Sequence, residues 1–227
     1  MLLAALALLS LAPANVPGTA QSVLSVARAQ TGTPTPRGNL LFEDDFATYS
    51  NRWRESDSPK ARVAYQTFAL TMRVVSPGVS VWSVPDFDAP LGDYSVQVVA
   101  DFHEGSPDSW FGLIVAYEDD ENFCTLMVNL AGDWRFLRHQ SSEWIDLTPA
   151  DAMPVTRASR SPVVRLRVDV IGDTLTLYED DRLIGEAAVD KASSGGVFGL
   201  IARAGRGYID VSFDNVVVTS IGKASEP

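Results

Sequence analysis

The 227-residue sequence holds one cysteine, Cys124, two histidines, His103 and His139, and lysine at only three positions. Each scarcity removes a class of function. A single cysteine closes no intramolecular disulfide, so stability must come from packing. The sequence shows no low-pKa surroundings for Cys124, which is expected to be a small apolar core residue rather than a reactive thiol. The histidines have no Gly-x-Ser-x-Gly partner, and His103-Glu104 lacks the second histidine of a zinc-binding His-Glu-x-x-His. Both are expected to be solvated side chains. No glycine-rich phosphate loop leads from a strand into a helix. With 18 basic against 29 acidic residues, a net charge of -11, the clustered positive charge required by nucleic acid or an anionic membrane is missing. Past the first dozen residues no apolar run approaches membrane-spanning length.

What is present begins with an export signature. Residues 2 to 12, LLAALALLSLA, are too short to cross a bilayer as a helix but have the length of a signal-peptide apolar core, although a basic segment before them is missing. Small-residue cleavage sites follow at Ala12-Pro13-Ala14 and Ala27-Arg28-Ala29, the second just before the linker QTGTPTPRG. The expected division is a signal peptide over 1–29, a linker over 30–38, one domain over 39–219 and a polar tail over 220–227. The domain is expected to be secreted or held in the cell envelope, with no membrane insertion after cleavage.

From Asn39 onward the pattern is strand after strand. Trp110 to Tyr117, Phe123 to Leu130 and Trp134 to His139 have strand length and are parted by the turn formers EDDEN and AGD. In the middle one, Cys124, Leu126, Val128 and Leu130 alternate with Phe123, Thr125, Met127 and Asn129, which implies one buried face and one mixed face. Tyr94 to Phe102 and Val164 to Val170 alternate as clearly. Further strands are expected at Leu40 to Phe46, Arg62 to Val75, Ser80 to Val84, Trp144 to Leu147, Leu175 to Leu177, Leu183 to Val189, Gly195 to Ala204 and Ile209 to Val218. Trp53 and Trp82 read as core residues. About a dozen short strands without an amphipathic helix point to an all-β fold, two packed antiparallel sheets.

The order of several short motifs carries a resemblance. Phe42-Glu43-Asp44-Asp45-Phe46 is followed by Trp53, then by Phe111-Gly112-Leu113-Ile114 with Tyr117, Asp119-Asp120 and Asn122-Phe123. Later come Leu166-Arg167-Val168, Gly172-Asp173-Thr174-Leu175-Thr176-Leu177-Tyr178, Gly195-Gly196-Val197 with Gly199-Leu200, and Phe213-Asp214-Asn215. In these the chain resembles the concanavalin A-like lectin and glucanase superfamily, near the bacterial 3-keto-disaccharide hydrolase-like and laminin G-like extracellular domains. The resemblance covers roughly 40 to 219 and implies a jelly-roll β-sandwich. It implies no activity, since that superfamily hosts lectins, hydrolases and non-catalytic modules.

Glucanases of that superfamily carry Glu-x-Asp-x-x-Glu on one strand, and retaining cleavage needs two carboxyl groups roughly 5 Å apart. Glu118-x-Asp120 is completed here by Phe123 and Glu179-x-Asp181 by Ile184, so the third carboxylate is absent both times. The twin Tyr-Glu-Asp-Asp stretches, 117–120 and 178–181, read as two turns with the same chemistry. No catalytic residue is assigned. A sugar-binding surface is expected instead on the mixed face, with Trp110, Trp134 and Trp144 as stacking platforms and Tyr117, Asn129, Arg138 and His139 as polar contacts. The first and last strands should be neighbours, which would bring Asp44, Asp45 and Asp214 together as ligands for a structural calcium; the same residues could instead cap a strand and form a bulge. The reading is a non-catalytic, monomeric module recognising a glycan or a cell-envelope component. A glycosidase of the 3-keto type and a structural module contacting an envelope protein are the alternatives.

Overall fold

The computed structural model describes residues 38–87, 91–152, 161–190 and 196–222, all within a compact unit spanning Thr31–Pro227. The expected signal peptide, nearly all of the linker and residues 223–227 of the tail lie outside the described residues. Among those described there is no helix, and so none long and apolar enough to cross a membrane.

Two antiparallel sheets form. The larger runs β13 (Arg182–Ala188), β12 (Thr174–Glu179), β11 (Val163–Ile171), β6 (Tyr94–Gly105), β15 (Ile209–Ser220), β4 (Ala69–Val74), β3 (Ala61–Gln66) and β2 (Ser56–Asp57), with β1 (Leu40–Asp44) also paired to β15. The smaller runs β10 (Glu143–Asp146), β9 (Trp134–Gln140), β8 (Asn122–Val128), β7 (Trp110–Asp119), β14 (Val197–Arg203) and β5 (Ser80–Ser83). This is the expected two-sheet sandwich, and the first and last strands are neighbours.

Period-two alternation builds the core. Val164, Leu166, Val168 and Val170 of β11 lie opposite Ala100, Val98, Val96 and Tyr94 of β6, and all eight are buried between the sheets. Their partners in sequence, Arg165, Arg167 and Asp169, point to the other face because successive strand residues alternate. In β15 the alternation would fail after Phe213, but a bulge at Asp214–Asn215, with Asn215 at φ 53°, resets it so that Val216 and Val218 also face inward. Cys124 is buried in the same core, and burial pushes its thiol up to about 11.

The stretch 62–75, which reads as one strand, is two. It breaks at Thr67-Phe68, a two-residue hairpin with φ 51° and 63°. The same double left-handed geometry closes β9 to β10 at Ser141-Ser142 and β12 to β13 at Asp180-Asp181. Such turns match the right-handed twist of the strands they join. Only the Asp pair carries a side chain that favours this conformation, so the other two turns leave little trace in the sequence.

Candidate functional site

The face of the smaller sheet turned away from the core carries the chemistry. β8 pairs Phe123 with His139, Thr125 with Leu137 and Met127 with Arg135 of β9, while Trp144 of β10 stands opposite His139. On the other side Ile201 of β14 sits between Gly112 of β7 and Trp82 of β5. Val84, Ile114, Tyr117, Phe123, Met127 and Ile201 form a second apolar cluster there, separate from the inter-sheet core, with Trp82, Trp110, Leu137 and Trp144 half-buried across it. The mixed face is therefore no open polar surface. Its floor is covered by its own aromatic rings, and Phe123, Thr125 and Met127 are all buried.

Tyr117 reaches this face through a bulge. Ile114 points outward and Val115 into the core, so simple alternation would turn Tyr117 inward. Ala116, at φ 50°, interrupts the register and sends Tyr117 out. Its displaced backbone N–H donates to the Tyr94 hydroxyl at 3.3 Å, from the core side. Gly196 packs on the bulge at φ 83°, where a Cβ would stand 2.5 Å from the Ala116 carbonyl carbon.

Asp120, in the turn between β7 and β8, ties the face together. Its Oδ1 accepts from Trp82 Nε1 and from the Tyr117 hydroxyl, both at 2.9 Å, and Arg54 Nη1 donates to both of its oxygens at 3.0 Å. Burial acts to raise the Asp120 pKa, but the bonds from Trp82 and Tyr117 and the Arg54 guanidinium outweigh it and hold the carboxyl below its ordinary value. Burial and the bond to Asp120 push the Tyr117 hydroxyl up. Next to this network opens a cleft of about 750 Å³, lined by Arg54, Glu55, Asp86, Tyr117, Glu118 and Val197 among others.

An aromatic nest adjoins the network. The His139 ring centroid lies 4.6 Å from Trp144, 4.9 Å from Phe123 and 6.2 Å from Trp82. His139 is 8% exposed and Thr125 0%. His139 Nδ1 and Thr125 Oγ1 are both buried without a hydrogen-bond partner.

Four of the seven expected ligand contacts share this face: Trp110, Tyr117, His139 and Trp144. The Arg135 guanidinium covers the Trp110 ring at 4.8 Å. Three are corrected. Trp134 faces the core, 6% exposed, edge-on to Phe136 at 5.5 Å, with Gly185 of β13 leaving room for its ring. Arg138 stands opposite Cys124, on the core side of β9. Asn129 braces its own turn, accepting from Asp133 N at 2.9 Å and donating to Asp133 Oδ2 at 3.0 Å. Two residues were missed. Trp82, which reads as core, is on the outward face, and Asp120 was visible only as part of an incomplete glucanase motif. The second Tyr-Glu-Asp-Asp stays a turn, in which the Asp180 N–H donates to the Arg165 carbonyl at 2.9 Å.

The calcium expectation does not fit these residues. Asp44 Oδ1 accepts from Phe46 N at 2.9 Å, and Oδ2 accepts from Trp53 Nε1 at 3.1 Å and Ser50 Oγ at 3.2 Å. Asp45 accepts from Ala47 N, and both Asp214 oxygens accept from Asn215 at 2.7 Å. Burial raises the Asp214 pKa, the Asn215 N–H lowers it, and the charges of Asp45 and Asp44 add to the rise. The three acids are thus near one another, yet among the described residues no group of three such side chains could hold a metal ion.

The sequence matches no family model and no curated protein. Solved structures do share the architecture. A carbohydrate-binding module, CBM66, from Bacillus subtilis superposes with a TM-score of 0.53 at 18% identity, over 74% of this chain and 95% of that one. A beta-glucanase of Bacillus licheniformis gives 0.56 at 12% identity, over 81% and 99%. A Bacillus subtilis protein of unknown function with a galectin-like fold gives 0.54 at 12%, over 82% and 98%. The fold is the concanavalin A-like jelly-roll sandwich.

Proposed function

We propose that this chain is an exported, non-catalytic carbohydrate-binding module whose ligand lies on the outward face of the smaller sheet and in the cleft beside it. The observation that carries the reading is the grouping of Trp82, Tyr117, Phe123 and Trp144 on that face, with Trp82 and Tyr117 bonded to the Asp120 that Arg54 pairs. Pyranose rings present C–H faces that stack on aromatic rings, while a few preset polar groups orient their hydroxyls. The CBM66 module and the glucanase, which share the fold, are by name carbohydrate-active proteins. The apolar segment 2–12 and the cleavage sites after it support export to where glycans and envelope components are met. The domain acts as a monomer in this reading.

Catalysis of the glucanase type is disfavoured by the residues themselves. Phe123 replaces the third acid and packs among the aromatics, and Asp120 is neutralised by Arg54. A hydrolytic reading keeps one specific support, since Glu55, Asp86 and Glu118 all line the cleft.

Glycan-array screening followed by calorimetry tests the proposal. Wild type should bind a defined set of oligosaccharides, and Trp82→Ala or Trp144→Ala should weaken binding about tenfold or more while the domain stays folded. Absence of binding across the array refutes it. Release of reducing sugar, lost in Glu118→Gln, replaces it with the hydrolytic reading.

A further inference from the structure

The apolar cluster on the outward face contains two polar atoms that nothing in it satisfies. Thr125 Oγ1 and His139 Nδ1 are each at least nine-tenths buried and have no hydrogen-bond partner. They lie on the same face of adjacent strands, because Phe123 pairs with His139 and Thr125 with the next outward position, Leu137. A valine or phenylalanine would fill these places without the penalty that an orphaned buried polar atom carries. The ring nearest His139 is Trp144, on the four-residue β10, an edge strand held by β9 alone.

We propose that Thr125 Oγ1 and His139 Nδ1 form the hydrogen-bonding floor of a saccharide subsite, closed in the free protein by the Trp144 indole and opened when that indole moves off to stack on the ligand. The inference rests on the carbohydrate reading of this face. It assigns an uncharged sugar: both floor atoms suit hydroxyl groups, and the charged residues beside the nest, Arg54 and Asp120, already neutralise one another at 3.0 Å. That pair therefore leaves no free counter-charge of its own for an acidic or amino sugar.

The test uses Thr125→Val, which deletes the hydroxyl at constant volume, and Thr125→Ser, which keeps it. Thermal melting is measured without ligand, and calorimetry is run with neutral oligosaccharides of glucose, galactose, mannose and xylose and with oligogalacturonates. Thr125→Val should melt about 2–4 °C higher, because an unsatisfied hydroxyl has gone. It should also bind the preferred neutral sugar roughly tenfold more weakly. Thr125→Ser should recover most of that affinity while melting lower than wild type. A purely structural threonine cannot give this opposition of stability and binding. His139→Phe, which removes the second atom but keeps a ring, should likewise weaken binding. Unchanged affinity in both Thr125→Val and His139→Phe overturns the inference and leaves the carbohydrate reading standing, as does a lower melting point in Thr125→Val. Preference for oligogalacturonate overturns the assignment of an uncharged sugar. Failure of wild type to bind any of these sugars or any glycan of the array removes the carbohydrate reading, and the inference with it.

Discussion

The Ala116 N–H of the smaller sheet donates to the hydroxyl of Tyr94, which reaches it from the larger sheet through the core, at 3.3 Å. That bond lets a strand of the core miss one residue of its ladder without leaving a buried donor unpaired, and the missed residue is what turns Tyr117 outward. Burial raises the Tyr94 pKa far above its ordinary value, so the hydroxyl keeps its proton throughout the range in which the protein is handled. Tyr94→Phe should cost about 1–3 kcal/mol in urea unfolding, since it orphans the Ala116 N–H without opening a cavity. A loss within a few tenths of a kcal/mol would mean that the bulge is satisfied in some other way.

Gly196, just before the neighbouring strand β14, supports the same bulge. Its left-handed φ of 83° and the 2.5 Å approach to Ala116 leave no room for a methyl group. Gly196→Ala should destabilise by about 1–3 kcal/mol and weaken ligand binding through Tyr117, whereas Gly172→Ala, at φ 55° in open space, should show the backbone cost alone. Comparing the two midpoints in denaturant separates crowding from strain.

Trp134 and Trp144 separate the two faces of one short stretch. Trp134→Ala should cost about 3–5 kcal/mol, because it empties a core position. Trp144→Ala should cost far less, since that ring is half-buried at a sheet edge, and should act on binding instead. Chemical denaturation read beside calorimetry would show the split, and equal stability losses would contradict the placement of the two rings.

Asp120 gives the site an acid dependence of known sign. Its carboxyl is held below the ordinary 3.8 despite burial. A depressed value in the folded state adds stability that is complete above 3.8 and is lost as the pH falls through the depressed value. Asp120→Asn should therefore lower the melting point at neutral pH, and the difference from wild type should shrink below pH 4. A difference that stayed constant from pH 7 to pH 3 would show that the carboxylate charge contributes nothing. The effect is modest, since Arg54 and Asp120 are each 55% exposed and water screens the pair.

Cys124 should react with Ellman's reagent only as fast as the domain unfolds. Its thiol is buried and pushed up to about 11, so little thiolate is present and none is accessible. Rapid labelling of the native protein would contradict its place between the sheets.

Alternation was legible wherever a strand had one apolar and one polar side. Val164 to Val170 and Tyr94 to Phe102 declared both their conformation and their inward face, because a period of two admits no other amphipathic element. β8 was harder. Its two apolar sides are buried for different reasons, Leu126 against the opposite sheet and Met127 beneath indoles of its own sheet, and a count of apolar residues does not tell these apart. The Thr67-Phe68 hairpin left no mark because neither residue is a turn former, and Phe68 ends 70% exposed.

The site was legible in part. The aromatic wealth of 110 to 144 marked a stretch that lines this face, and Trp110, Tyr117, His139 and Trp144 share it. Arg138 and Trp134 were placed on the wrong side because a strand's facing follows its register with its neighbour, and pairing of Arg138 with Cys124 fixes it on the core side. Trp82 and Arg54 enter from sequence positions 38 and 66 residues away from Asp120. Local pattern therefore sufficed for the strands, the two-sheet class and the buried valines, since these depend on neighbours two residues apart. Which aromatic rings meet, which carboxylate they surround and which polar atoms are left unmatched were decided by strand order and one bulge, because those contacts join segments that only the closed sandwich brings together.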